Sequence, residues 1–323
     1  MPHLLNHLEK FGWIGHYEEQ RARNLVMSQA EPPFVDFSMF AAKEVPRRKE
    51  YPIPEGFDGG WEFWTAVEKC YSKQVPPGPQ DVGDCVGFSD VLSACDLIAH
   101  EVYWEGQSET FIVPTVLFSY GAGRVYIGGN QLGNSDGSTG AWQIAADVKY
   151  GYLPSDVPGL PFNPNDPCEP NGSDVRKWGS TKSILDQWAP KAAPHKLGEG
   201  TEIRDTAELK KAICDLHRPC TIASNWGFAK KGLDPKYGIV LWTRSGSWSH
   251  QMHIRGVTQI KGAWFTYIGN QWGTDYHGDP GKGPRGGFWV PLELMNQWIP
   301  QAEVYARGIF PGREAKKPDF GMF

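Results

Sequence analysis

No run in this 323-residue chain approaches the 18 uninterrupted apolar residues of a membrane-crossing helix. The N-terminal MPHLLNHLEKFGWIGHYEE has no basic stretch followed by an apolar core, so neither a secretion signal nor a membrane segment is expected. Cysteine is scarce. Cys70, Cys85, Cys95, Cys168, Cys214 and Cys220 are too few in so long a chain for a disulfide scaffold, and no two stand as C-x-x-C. Reduced thiols in a cytosol-like compartment are the expectation, which makes the Asn171-Gly172-Ser173 sequon incidental. An excess of positive charge is missing too. The 32 basic and 37 acidic side chains leave a formal net charge of -5, which argues against nucleic acid as the main partner because phosphate binding needs a basic surface.

What is present is a core-forming composition. At 40% hydrophobic residues the chain can bury a real core, and its length suits two domains or one large two-lobed one. The 38 glycines and 26 prolines predict many loops and few long helices. Residues 1–52 read as an arm, with a short helical stretch around Leu4 to Leu25 followed by the Pro-rich EPPFVDF and the basic VPRRKEYP. QVPPGPQDVGD cannot stay helical. After it, Val91, Leu92, Cys95, Ile98 and Val102 form the apolar stripe of a helix that begins near Cys85. PTVLFSYGAGRVY and TGAWQIAADVKYGYL are further helix candidates, separated by the glycine-rich IGGNQLGNSDGSTG. Pro154 to Pro194 reads as a long polar loop crossing between lobes, and TAELKKAICDL as an amphipathic helix. Beyond it come short strands: CTIAS, YGIVLWT, SHQMHIRGVTQI, AWFTYIGNQWG and GGFWVPLE. Helices first and strands afterwards predict an α+β chain with segregated lobes.

Cys85 opens a helix, where unpaired N–H groups and the helix dipole favour an anion and lower a thiol's pKa. Asp84 opposes thiolate formation unless its side chain points to solvent or caps the helix. Cys95, Cys214 and Cys220 sit among apolar neighbours and read as small buried hydrophobes. A thiol nucleophile needs an imidazole base, and the base needs a group to fix its tautomer. His250 and His253 lie three apart on one predicted strand, so at most one can address a cleft, and they are not a metal pair. Asn270 follows about twenty residues later, where a hairpin could return it beside the histidine, with Trp272 to cover the contact.

These residues resemble the motifs of the papain-like cysteine peptidases. The family's Q-G-x-C-G-S-C-W is echoed by Gln80 to Phe88, its D-H-A-(apolar)-x-x-x-G by Ser249 to Gly256, and its N-S-W-G-x-x-W-G by Asn270 to Gly278. Gly286 to Val290 resembles the next strand, and the motif wording is closest to bacterial and bacteriophage-borne members. Three motifs in order are more specific than any one. The resemblance implies a papain-like two-lobed fold, with a helical N-terminal lobe, a β-rich, barrel-like C-terminal lobe and the active site in the cleft between them. It divides the chain into a 1–52 arm, a 53–290 peptidase domain (helical lobe about 80–160, β lobe about 200–290) and a 291–323 C-terminal extension. The spacing from cysteine to histidine and asparagine exceeds the family's 130–150 residues, which implies an insertion.

Carried over, the resemblance makes Cys85 the nucleophile, His250 the base and acid, Asn270 the residue that orients His250, and Trp272 a supporting residue. Gln80 would donate to the oxyanion, although it stands one residue nearer the cysteine than the family spacing. Gly137, in Asp136-Gly137-Ser138, would belong to the ribbon that pairs with substrate backbone. No metal or other cofactor is implied, and the partner is a peptide or protein substrate, with no nucleic acid and no membrane. Val82 replaces the cysteine of secreted members, so the family's disulfide there cannot form. The arm could block the cleft, dock to other virion or host proteins, or do neither. Two functions stay open: a cysteine-type peptidase, cytoplasmic or virion-associated and of bacterial or phage origin, or a structural or docking protein of a phage virion that keeps the fold with activity incidental or lost.

Overall fold

The structure, a computed structural model, describes residues 12–15, 34–43, 51–78, 80–107, 110–160 and 171–311. Cys168 and most of the expected helix at Leu4 to Leu25 lie outside them. Residues 12–15 lie inside and are extended, not helical, with Trp13 in a β-bridge to Ser138.

The chain enters through strand β1 (Phe34–Val35), helix α1 (Phe37–Lys43), strand β2 (Gly59–Glu62) and helix α2 (Trp64–Tyr71). Helix α3 (Cys85–Tyr103) is the longest described element and begins where the prolines and glycines stop. The sequence predicts one apolar stripe for it, yet every residue from Cys85 to Glu101 is buried. Its apolar face packs on helices α4 (Val116–Gly121), which runs on as a π-helix to Ile127, and α5 (Gly140–Lys149). Its polar positions meet buried arginines from the sheet. Asp90 and Ser93 bond Arg307, and Asp96 accepts from Arg255 at 2.8 Å. A buried carboxylate is tolerated only when paired in this way.

The expected polar loop at Pro154 to Pro194 contains two helices, α6 (Gly172–Trp178) and α7 (Lys182–Ala192). Val175, Trp178 and Leu185 are buried in the helical core and hold these helices in place, and Asn171 of the sequon is the α6 N-cap, accepting from the Asp174 N–H at 3.0 Å.

Strand β3 (Gly200–Glu202) and helix α8 (Thr206–Lys210) lead into β4 (Cys220–Ser224), β5 (Phe228–Asp234), β6 (Ile239–Arg244), β7 (His250–Ile260), β8 (Ala263–Gly269) and β9 (Gly287–Pro291). Helix α9 (Leu292–Trp298) and strand β10 (Glu303–Arg307) follow. The strand order is β1-β3-β10-β4-β7-β8-β9-β6-β5, with β2 also paired to β7. β10 thus runs between β3 and β4, and the expected C-terminal extension supplies an interior strand. The β7–β8 hairpin turns on Lys261 (φ 48°) and Gly262 (φ 79°), the positive-φ pair of a two-residue hairpin loop. That turn sets the register up to Gly256 opposite Tyr267, and a bulge at Arg255 shifts it by one residue to put His253 opposite Gly269, so the chain leaving β8 at Asn270 returns to the His250 end of β7. The sheet core holds Ile222, Met252, Ile254, Ile268, Phe288 and Trp298. None of the described helices is long and apolar enough to cross a membrane.

Candidate active site

Cys85 stands at the first position of α3, with its side chain fully buried. Its sulfur accepts the Gln251 backbone N–H at 3.4 Å, so it lies against the first turn of chain in β7. A second backbone N–H reaches it from Gly12. Burial, the largest influence, pushes the Cys85 thiol up to about 12 despite these donors and despite the helix start. The expected lowering is therefore outweighed in this closed form, because a buried thiolate loses more solvation than the backbone N–H groups of Gln251, Gly12 and Val86 return. Asp84 neither points to solvent nor caps the helix through its side chain. Burial instead pushes its carboxyl well above the usual carboxylate range, which favours the neutral form beside the sulfur.

On the opposite wall, His250 opens β7 and Asn270 follows β8. His250 Nε2 and Asn270 Oδ1 are 2.8 Å apart. Gln271 donates its backbone N–H to the same Oδ1 at 2.8 Å, which identifies that atom as the oxygen. Since a carboxamide oxygen only accepts, His250 carries its proton on Nε2 and keeps a lone pair on Nδ1. Trp272 stacks over the His250 ring at 4.6 Å and 28°. Burial lowers His250 to about 4, opposed by the Asn270 bond, so the ring is neutral at pH 7. His253 faces the other way, as the strand alternation predicts, with Nε2 4.0 Å from the Asp96 carboxylate of α3.

The described piece of the arm lies between these walls. Trp13 donates its N–H to Ser249 O at 3.3 Å, Ser138 donates to Gly12 O at 2.7 Å, and Ile14 donates to Ser138 O at 3.3 Å. Trp13 is 3% exposed and packs with Cys85, Val86 and Ala223. Gly12 has no room for a side chain, since a Cβ there would fall 1.9 Å from Gly83 O. An extended strap thus fills the groove over the sulfur, paired on both sides through its backbone.

The remaining expected residues are placed as follows. Gln80 is buried beside the cysteine loop, donating its side-chain amide to Val82 O at 2.7 Å and its backbone N–H to Gln271 O at 2.8 Å. Gly137 borders the groove, where a Cβ would meet Ile14 at 2.6 Å. Its own N–H and carbonyl are taken by Tyr120 Oη and Arg124, so the residue that pairs with the strap is the next one, Ser138.

Several residues not singled out from the sequence hold this arrangement. The Gln271 side-chain amide donates to Cys85 O at 3.1 Å and to Gln251 O at 2.6 Å, tying the two walls together at Cys85 and next to His250. Gln251 reaches back to Ser89 Oγ at 2.8 Å. Arg124, buried, donates to the carbonyls of Gly133, Ser135, Gly137 and Gly179 and so shapes the glycine-rich loop. Asp136 accepts the Gly83 N–H at 3.2 Å and pairs with Arg176 at 2.8 Å. For the two glutamines a signal existed: they stand where the resembled motifs have alanine and serine. For Arg124 and the strap there was none, because their partners are carbonyls and backbone.

No protein-family model and no curated protein matches the chain. Among solved structures, xylellain, a cysteine protease from Xylella fastidiosa, is similar with a TM-score of 0.51 at 17% identity, over 82% of this chain and 94% of its own. Procathepsin B S9 from Trypanosoma congolense gives 0.49 at 10% identity, over 94% of this chain and 95% of its own. Digestive procathepsin L 3 from the larval midgut of Tenebrio molitor gives 0.48 at 13% identity, over 94% and 88%. The xylellain likeness shows the fold: the chain has the α+β, two-lobed architecture of a papain-like cysteine protease.

Proposed function

We propose that this protein is a cysteine peptidase that hydrolyses peptide bonds through a thioester intermediate. The observation that supports this most strongly is the 2.8 Å contact between His250 Nε2 and Asn270 Oδ1 at the groove where the Cys85 sulfur meets β7. In this mechanism the Nδ1 lone pair of His250 takes the thiol proton and Cys85 sulfur bonds to the scissile carbonyl carbon. The Cys85 N–H and Gln80 stabilise the oxyanion. His250 then gives its proton to the leaving amine as the C–N bond breaks. Water, deprotonated by the same nitrogen, attacks the thioester and releases the acid and the thiol.

The substrate is an extended peptide or protein segment, because the groove already accommodates an extended backbone at Ser138 and Ser249. The strap must leave before substrate enters. With it in place the thiol and the imidazole are both neutral and the sulfur is covered, which is the support for the competing reading of a docking protein that retains the fold.

An epoxide-type thiol-peptidase inhibitor separates the two. Intact mass and peptide mapping are expected to find a single adduct, on Cys85, in the parent or in a Gly12→Val variant whose strap cannot seat, and none in Gly12→Val/His250→Ala. Labelling of several cysteines to the same extent, or of none in Gly12→Val, would sink the peptidase proposal.

A further inference from the structure

Beyond the cysteine, histidine and asparagine, a fourth side chain is in line. Asn270 Nδ2 lies 2.8 Å from His277 Nε2. His277 is buried and held in a box of aromatic rings, with Trp242 at 4.6 Å and 73°, Phe288 at 4.8 Å and 42°, and Tyr276 at 4.9 Å and 78°. The family motif resembled here has a tryptophan in this stretch, where this chain has Tyr276-His277. Packing alone would therefore not call for an imidazole.

The protons settle what the imidazole does. The backbone N–H of Gln271 can only donate, so the Asn270 atom it meets is Oδ1, and the atom facing His277 is the amide nitrogen. An amide NH2 also only donates, so His277 Nε2 must offer a lone pair, and its ring is the neutral Nδ1–H form. A carboxamide rotated by 180° would set its oxygen against that lone pair and its NH2 against both the Gln271 N–H and the His250 Nε2–H. Neither would be a hydrogen bond.

We infer that His277 is a positioning residue which, with the Gln271 N–H, locks the orientation of the Asn270 carboxamide and so fixes the proton of His250 on Nε2. The lone pair that takes the Cys85 proton is thereby kept on Nδ1. The inference rests on the proposed peptidase chemistry for its consequence but not for its geometry. Burial lowers His277 to about 3, with the nearby His250 a lesser cause in the same direction, so the acceptor form prevails at pH 7.

The test uses the full chain in the Gly12→Val background with two substitutions. His277→Phe keeps the aromatic packing and removes the acceptor. His277→Gln places Oε1 at a reach from Cβ close to that of Nε2. With a quenched fluorescent peptide library as substrate, His277→Phe is expected to lower kcat roughly ten- to a hundredfold with KM within about twofold, the scale of losing the partner that orients a reacting histidine. His277→Gln is expected to recover most of it. Nitrogen-15 spectra of histidine-labelled protein read the tautomers without any turnover: Nε2–H at His250, Nδ1–H at His277, and loss of the single His250 tautomer in His277→Phe. A proton on His277 Nε2 would overturn the inference. So would a folded His277→Phe variant with the kcat and His250 tautomer of its parent. If the parent hydrolyses nothing and takes no adduct, the peptidase proposal fails while the tautomers still decide this one. Should His277→Phe fail to fold, the parent spectrum and His277→Gln decide.

Discussion

The two walls of the groove are built on different principles. On the sheet wall the side chains of the groove are held from nearby in sequence: His250, Asn270, Gln271, Trp272 and His277 span one hairpin and the turn after it, and each touches another of the set. On the helical wall Cys85 is placed by distant chain. Gly83 is held by Asp136, the glycine-rich loop by Arg124 and Tyr120, and the sulfur is covered by Gly12 and Trp13. A hairpin carries its own register. A loop before a helix must borrow its geometry from whatever packs on it.

This contrast can be broken most sharply at the strap. Gly12→Val puts a side chain where a Cβ alone would lie 1.9 Å from Gly83 O, so the strap is expelled. Only thiolate alkylates, and burial is the main cause holding the Cys85 thiol up at about 12, with the Gly12 N–H a smaller influence in the opposite direction. Removing both therefore lowers the pKa on balance and uncovers the sulfur. Alkylation of Cys85 by iodoacetamide at pH 8 is expected to accelerate on the order of a hundredfold, each unit of pKa being tenfold in thiolate. In the parent the rate should keep climbing as pH rises toward 12, whereas in the variant it levels off at lower pH. Equal rates and equal pH profiles would mean that the strap does not control the thiol.

A smaller effect tests the long-range support of the helical wall. Arg124→Met leaves the carbonyls of Gly133, Ser135, Gly137 and Gly179 without their shared buried donor, and about 3 kcal/mol of stability should be lost in urea unfolding. In the Gly12→Val background KM should rise more than kcat falls, because the loop pairs with extended chain and carries none of Cys85, His250 and Asn270. A kcat loss at unchanged KM would erase the distinction between the walls.

The mildest change sits where the walls meet. Gln271→Ser, the residue of the resembled motif, removes the amide that bridges Cys85 O and Gln251 O but keeps the backbone N–H that holds Asn270. Two neutral hydrogen bonds at roughly 1 kcal/mol each bound the expected loss to about 2 kcal/mol. Inhibitor labelling should slow severalfold while the His250 tautomer stays as it was. A change of tautomer would assign Gln271 to the sheet wall alone.

The sheet wall was the more legible one in the sequence for the same reason it is self-sufficient. Strand alternation separated His250 from His253, and the apolar runs on either side of Lys261-Gly262 form the hairpin that returns Asn270 to His250. The polar positions of α3 were not legible, since the partners of Asp90 and Asp96, Arg307 and Arg255, arrive from strands more than 150 residues away. The helices at Gly172–Trp178 and Lys182–Ala192 were hidden in a polar, Pro-bearing stretch whose few apolar side chains bury against α4 and against each other. His277 gave a faint signal, as an imidazole beside Tyr276 in the stretch where the motif has its second tryptophan and glycine.

By itself the sequence determined the chemistry on offer and its local carriers: a thiol at a helix start, an imidazole at a strand start, and a carboxamide one hairpin away. Periodicity and side-chain type are properties of short stretches, and these assignments needed nothing more. Only the tertiary structure decided the state of those groups. Whether the thiol is ionised depends on water and charge around the sulfur, and here Gly12, Trp13, Val86 and Ala223 close over it from separate parts of the chain. Solvation is a property of the assembled surface, and no short stretch of sequence contains it.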